Sequence, residues 1–470
     1  MKIYLLNPPY YKGFMRSARW ARPAFAGSQW YPIFLAYAAG FLEKNGNLAK
    51  LVDALVSGMT FQNVIEDVKI FSPELVVVYT SWPSLENDVR LAEEIKKEVK
   101  CLIVFVGPWC AMSPEKILKK SEAVDAVIRK EIELPVLNLA QGKDISKIRG
   151  LSWRKDNQLI HNLDEDFLTP EQLDELPFVT DVYRRHLIIR NYRQTSLKYP
   201  FVDLFTGRGC YWGQCTFCLW PHTIYKGAPR YRKRNIKNVI EELKYVLRAL
   251  PEVKEVFIQD DTLPRDRAIE LSEEILKNNL KITWSCYAKP ILDYKTLKLM
   301  KKAGCRCLHV GYESADLDIL KFCRKGQTPE MMERFTRDAQ KAKLIIHGDF
   351  MIGLPGESEK TISKTINWAK SLKLLDYQFA VIQPEPGTPL YDFLKEKGFL
   401  TGEDEVNYPQ FSSKDMFDWR LRAYRKIYLN PEYILRLLKH PSELKRLAKM
   451  AVSALPNLIF KRNGTGKNRI

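Results

Sequence analysis

Thr206-Gly-Arg-Gly-Cys210-Tyr-Trp-Gly-Gln-Cys215-Thr-Phe-Cys218-Leu-Trp220 follows the strand-like run Phe201-Val-Asp-Leu-Phe205. Three cysteines on one short Gly-rich loop can hold three corners of a cubane iron–sulfur cluster, because thiolate is the soft ligand that iron prefers there. No fourth cysteine stands at matching spacing, so one iron is expected to stay open to a small molecule. A structural zinc site and three unrelated thiols are the other readings. Zinc asks for four ligands, and His222 is the one nearby candidate.

Downstream of the loop, short apolar runs alternate with helical patterns. Strands are expected at Phe201–Phe205, Val256–Gln259, Ile282–Tyr287, Cys307–Tyr312, Ile345–Ile352 and Tyr377–Pro384. Helices are expected near 235–250, 266–279, 294–303, 316–323, 329–343 and 358–374. Six such units over 201–400 predict a partial (β/α)6 barrel, whose chemistry gathers at the carboxyl ends of its strands. Asp260-Asp261-Thr262, Lys289, Glu313-Ser314, Gly353-Leu-Pro-Gly-Glu357 and Pro384-Glu-Pro-Gly-Thr388 fall at those ends. The cysteine loop falls at the same end of the first strand, which points to one active site.

Residues 1–145 show the same alternation, with strands at Lys2–Asn7, Leu51–Ala54, Leu75–Ser81, Cys101–Gly107 and Val124–Ile128. Helical stretches lie near 31–45, 60–71, 84–99, 114–121 and 132–141. Runs that are apolar on both faces predict a parallel, doubly wound, Rossmann-like sheet. Ligands of such sheets sit beyond the carboxyl ends of the strands. Here those ends carry Asn7-Pro8-Pro9, Asp53 through Gly58, Thr80-Ser81-Trp82-Pro83 and Gly107-Pro108-Trp109, which suit a flat, amide-rich cofactor. No G-x-G-x-x-G follows the first strand, which argues against a dinucleotide. Residues 146–200 read as a linker with a hairpin turning at Asp156-Asn157. His161 and His186 read as structural.

The chain has 470 residues, 46% hydrophobic and 28% charged, enough for two to four globular domains. Nine cysteines, an odd number, and the ligand loop argue for a reducing compartment rather than a disulfide framework. The first residues lead directly into a strand, so no signal peptide is expected, and no apolar run is long enough to span a bilayer. A cytoplasmic location follows. The net charge of +18 (74 basic minus 56 acidic) permits anionic partners, although no nucleic-acid module accompanies it. Residues 401–470 read as helical and basic. Asn430-Pro431 opens a helix, and Pro441 divides it from a second. Ile434, Leu435, Leu438, Leu444, Leu447 and Met450 interleave with Arg436, Lys439, Lys445, Arg446 and Lys449. Such a pair can lie on the inner face of an anionic membrane or dock on the barrel.

Cys210-Tyr-Trp-Gly-Gln-Cys-Thr-Phe-Cys218, at the end of the first strand of a six-unit barrel, resembles the radical S-adenosylmethionine (SAM) enzymes. A doubly wound domain ahead of that barrel is similar to their cobalamin-binding subclass. Leu6-Asn-Pro-Pro9, Thr80-Ser81, Leu176-Pro-Phe-Val-Thr180, Cys218-Leu-Trp-Pro221, Trp284-Ser-Cys286, Val310-Gly-Tyr-Glu-Ser314, Ile346-His-Gly348 and Gly353-Leu-Pro-Gly-Glu357 resemble the HpnJ-type radical SAM proteins of hopanoid biosynthesis. Two positions depart from the pattern. Four residues, not three, separate the first two cysteines. Asp53-Ala-Leu-Val-Ser-Gly58 also puts Leu55 where D-x-H-x-x-G proteins place the histidine that ligates cobalt.

The resemblance implies that Cys210, Cys215 and Cys218 hold a [4Fe–4S] cluster whose open iron takes SAM. Reductive cleavage would release a 5′-deoxyadenosyl radical for C–H abstraction. Asp260, Asp261 and Glu313 would hold the polar parts of SAM, and Phe217, Gly353 and Leu354 would pack its adenine. Asn7, Asp53, Leu55, Gly58, Ser81 and Gly107 would line a cobalamin pocket without a histidine ligand below cobalt. No residue is singled out for quenching the substrate radical. The leading expectation is rearrangement or ring formation on a lipid-like, hopanoid-type substrate, with flavodoxin or ferredoxin as electron donor. A methylcobalamin-dependent C-methyltransferase, a porphyrin ester cyclase and a non-catalytic sensor are the alternatives.

Overall fold

A computed structural model describes residues 1–444, apart from 18–20, 25–26, 157, 403–404 and 442. The chain divides into two compact units. The first holds Met1–Gln194, Tyr199–Gly209 and Thr223–Val256; the second holds Thr195–Lys198, Cys210–His222 and the chain from Phe257 on.

The first unit is built on a seven-stranded sheet of order β2-β1-β3-β4-β5-β6-β7. Its strands are β1 (Lys2–Asn7), β2 (Leu48–Asp53), β3 (Leu75–Tyr79), β4 (Leu102–Val106), β5 (Ala126–Ile128), β6 (Leu151–Lys155) and β7 (Gln158–His161). The first five pair in parallel. Val76, Val77, Val78, Ile103 and Phe105 are fully buried, as strands covered on both faces require. Each such side chain contributes roughly 1.5–3 kcal/mol on burial. The helix Phe61–Phe71 starts at a capping box in which Thr60 and Asn63 satisfy each other's amides. It turns Val64 and Val68 into the core.

Two expectations need correction here. Ala54 does not end a strand: the Asp53 side chain accepts from the Val56 amide and starts a short helix, Ala54–Ser57. The hairpin within 146–200 is not a linker either, because β6 and β7 extend the sheet antiparallel to β5. Asn157 of its turn lies outside the described residues. His161 and His186 are structural. His161 Nδ1 lies 2.8 Å from Ser152 Oγ, and His186 Nε2 lies 2.8 Å from Glu43.

The second sheet has the order β8-β9-β10-β11-β12-β13. Its strands are β8 (Phe201–Leu204), β9 (Glu255–Ile258), β10 (Trp284–Ala288), β11 (Cys305–Glu313), β12 (Ile345–Ile352) and β13 (Asp376–Val381). β8 and the first half of β9 count with the first unit. β10 to β13 pair in parallel and the sheet stays open, a partial barrel. Gly348, on β12, lets Leu374, Tyr312 and Phe350 close over it; a Cβ there would meet Leu374 at 2.5 Å. Edge strand β13 is capped by the helix Ser413–Tyr428: Tyr428 and Tyr424 hydroxyls accept from the Tyr377 and Phe379 amides, both at 3.1 Å. An exposed edge that would template further pairing is thereby blocked. The helix Pro431–Leu438 opens at Asn430, as expected. Lys445, Arg446, Leu447, Lys449 and Met450 lie outside the described residues.

Candidate active site

Glycine sets the approach to the cysteine loop. Gly207 and Arg208 pair antiparallel with Lys233 and Arg232. Gly209 sits at φ +94°, where a Cβ would meet the Arg230 carbonyl at 2.5 Å. The strand therefore turns sharply just before Cys210.

Within the second unit, Cys210, Cys215 and Cys218 are free and half-buried. Burial pushes the Cys215 and Cys218 thiols up; Cys215 also feels the charge of Cys210, and Cys218 that of both Cys215 and Cys210. Among the described residues, no three metal-capable side chains close around a single ion. Half-buried thiols sharing one electrostatic field are a donor set that fits a polynuclear cluster, which would remove the cost of three neighbouring thiolates. His222 directs Nε2 at the Cys215 carbonyl, 3.0 Å away, and so braces the loop. The loop is also tied to the helix Leu317–Phe322 by the Thr216 amide, which donates to the Cys323 carbonyl at 3.0 Å.

Two expected rim residues part company. Asp261 acts on Cys218, whereas Asp260 is buried and acts on Cys286. Both lie in the loop just past the end of β9, and of the two it is Asp261 that addresses the cysteine loop. Glu313 sits at φ +64°, a left-handed backbone that costs about 1 kcal/mol or more and persists where the surroundings impose it. A β-bulge between Gly311 and Glu313 produces it. The carboxylate pairs with Lys325 Nζ at 2.6 Å, and Lys325 stands over the Phe217 ring at 5.6 Å. Burial raises the Glu313 carboxyl against the pull of Lys325. Lys325 is the principal residue that sequence reasoning missed. It lies past a helix end and carries no motif.

Gly353 and Leu354 form a tight turn. Their amides donate to Glu357 Oε2 at 2.6 and 3.2 Å, and Tyr408 donates to the Gly353 carbonyl at 2.7 Å. Leu354 has no exposed surface, so it supports the turn from the core and does not offer itself to an adenine. Burial pushes the Glu357 carboxyl up to about 8, despite those two amides. Its Oε1 is buried and unpartnered among the described residues.

The carboxyl edge of the first sheet is more fully satisfied. Register sets Asn7 beside Asp53, and Asn7 Nδ2 donates to Asp53 Oδ1 at 2.9 Å. Burial raises Asp53 to about 6, opposed by Val56, Tyr192 and Asn7. Arg16, unforeseen in the sequence, closes this edge. It donates to Asn7 Oδ1 and the Pro8 carbonyl, both at 2.9 Å, and pairs with Asp88 at 3.1 Å. Ser81 is buried and bonded to Ser84. Asn7, Asp53 and Ser81 therefore shape the edge. Leu55 and Gly107 keep half-buried surface, and Gly58, at φ +70°, is exposed. A Cβ at Gly107 would meet the Thr80 carbonyl at 2.6 Å, so only glycine fits there. Leu55 and Gly58 follow β2 and Gly107 follows β4, so an apolar side chain and two glycines spread along this edge leave room for a large flat ring.

Residues 204–369 match the radical SAM superfamily. They are a radical SAM domain, and the chain is an enzyme. An uncharacterized methyltransferase of Pyrococcus horikoshii is 28% identical over 93% of this chain and 94% of its own length. The anaerobic magnesium-protoporphyrin IX monomethyl ester cyclase of Rubrivivax gelatinosus is 23% identical over 92% of this chain and 78% of its own. The radical SAM methyltransferase TsrM of Kitasatospora setae, solved with cobalamin and a [4Fe–4S] cluster, superposes with a TM-score of 0.68 at 17% identity. The match covers 84% of this chain and 75% of TsrM. The likeness to TsrM is one of fold, a doubly wound sheet followed by a partial barrel.

Proposed function

We propose that this chain is a cobalamin-dependent radical SAM C-methyltransferase. The observation that carries the reading is the match, nearly end to end in both chains, to a protein named as a methyltransferase. This departs from the rearrangement of a hopanoid-type substrate that the resemblance implied, since the relatives compared are methyltransferases and cyclases.

Cys210, Cys215 and Cys218 would hold the [4Fe–4S] cluster. Asp261 and Glu313 would bind the polar groups of SAM, and Phe217 with the Gly353 turn would flank its base. Leu55, Gly58 and Gly107 would receive cobalamin. When bound, the cluster supplies the electron for reductive cleavage of SAM, and cobalamin supplies a methyl-carrying cobalt. The chain's own part is orientation: the buried Lys325–Glu313 pair and the Glu357-braced turn hold the rim fixed while water is kept out. Exposed Leu429, Ile434, Leu435 and Leu438, beside Arg436 and Lys439, support a peripheral contact with an anionic membrane.

Ring formation is the second reading, favoured by the match to the cyclase. Reconstituted enzyme incubated anaerobically with SAM, a flavodoxin-type donor and candidate tetrapyrrole or lipid acceptors separates the two. 5′-Deoxyadenosine with S-adenosylhomocysteine supports methylation, and 5′-deoxyadenosine alone supports ring formation or rearrangement. Neither product, with both cofactors bound, leaves only the sensor.

A further inference from the structure

The cysteine loop carries one residue more than the family pattern between its first two cysteines, and the structure shows how that segment is held. Trp212 donates its indole N–H to the Arg324 carbonyl at 2.9 Å. Its ring lies against Gly326, where any Cβ would overlap the indole. Lys289 Nζ stands 4.2 Å from the centre of the same ring and donates to the carbonyls of Lys325 and Gly326 at 2.5 and 3.0 Å. Lys289 comes from the end of β10, Trp212 from the loop, and the carbonyls from the turn after the helix Leu317–Phe322. Three separate segments therefore meet on one indole.

We infer that Trp212 is a latch that seats the cysteine loop on the Arg324–Gly326 turn and fixes the Lys289 ammonium against the thiolate site. Trp212 and Lys289 are thus positioning residues for the iron–sulfur cluster. The inference rests on the cluster assignment made above. Three features carry it. The indole N–H donates to a backbone carbonyl of the turn. The turn must be glycine at 326 for the ring to fit. The ammonium is held by two carbonyls and an indole face, an arrangement that keeps a positive charge in place. A fixed cation beside a cluster favours its reduced form, so removing it lowers the reduction potential.

The test compares wild type, Trp212→Ala, Trp212→Phe, Gly326→Asn and the double variant Trp212→Ala/Gly326→Asn, each reconstituted with iron and sulfide. Asparagine tolerates the left-handed backbone of Gly326, so its effect reports the overlap with the indole and not backbone strain. Loss of the indole hydrogen bond and the cation–π contact should speed cluster loss to a chelator about tenfold. Trp212→Phe should recover part of that loss. Gly326→Asn should destabilise the cluster in wild type and add little in the Trp212→Ala background, because the overlap has gone. Lys289→Met should keep the cluster and lower its midpoint potential, as read by EPR-monitored titration. Additive effects of Trp212→Ala and Gly326→Asn, or an unchanged potential in Lys289→Met, would overturn the latch. A wild-type protein that takes up no cluster would instead sink the assignment beneath it.

Discussion

At the carboxyl edge of β1 to β4, Asn7, Asp53, Ser81 and Asp88 all find protein partners, and Arg16 ties three of the segments together. At the edge of β10 to β12, Glu313 sits in left-handed backbone, Glu357 keeps a buried oxygen unpartnered among the described residues, and burial pulls Lys289 down to about 8. The first edge is a finished surface, suited to receiving a large cofactor by shape. The second holds a glutamate in strained backbone and a buried carboxylate oxygen left unpartnered among the described residues, which proteins retain where chemistry is done.

The comparison can be broken at its strongest point first. Arg16→Met leaves Asp88 buried and uncompensated and should cost about 3–5 kcal/mol in urea unfolding. Asp88→Leu added to it should restore much of that loss. Gly353→Ala places a methyl group within 2.5 Å of Met416 Sδ at φ +99°. A loss of about 2–4 kcal/mol is expected, with the turn displaced.

His347 offers a finer test. Burial alone would lower it, but Asp376 and Asp349 outweigh burial and raise it to about 10 from 6.5. Its contribution is therefore complete below about pH 6.5 and disappears as pH rises towards 10. Asp376→Asn should cost about 1–3 kcal/mol at pH 6 and converge on wild type above pH 10, followed by thermal unfolding across pH. Glu357 has the same sign over a lower pH window. A carboxyl raised from 4.5 to about 8 destabilises the fold progressively between those values as pH rises. Glu357→Gln should be neutral near pH 4.5 and more stable than wild type by about 1 kcal/mol at pH 8.5, the gain being reduced by the weaker acceptor.

Strand positions were readable where burial dominates. Lys2–Asn7 and Ile345–Ile352 fall where their apolar runs place them. The cysteine loop and its rim stood out as candidates because chemistry confines residue type. The hairpin was misplaced because strand pattern does not say which sheet a hairpin joins. Arg16 and Lys325 were invisible because their partners, Asp88 and Glu313, lie 72 and 12 residues away. Leu354 was misread as facing a ligand because an apolar residue beside a glycine turn looks the same whether it meets a cofactor or the core.

The most direct measurement is anaerobic formation of 5′-deoxyadenosine from SAM by reconstituted wild type and Cys215→Ala, with cobalamin uptake by the first unit followed in parallel. The wild type should form the nucleoside, and Cys215→Ala should form none while still taking up cobalamin. Cleavage that survives Cys215→Ala would contradict the account.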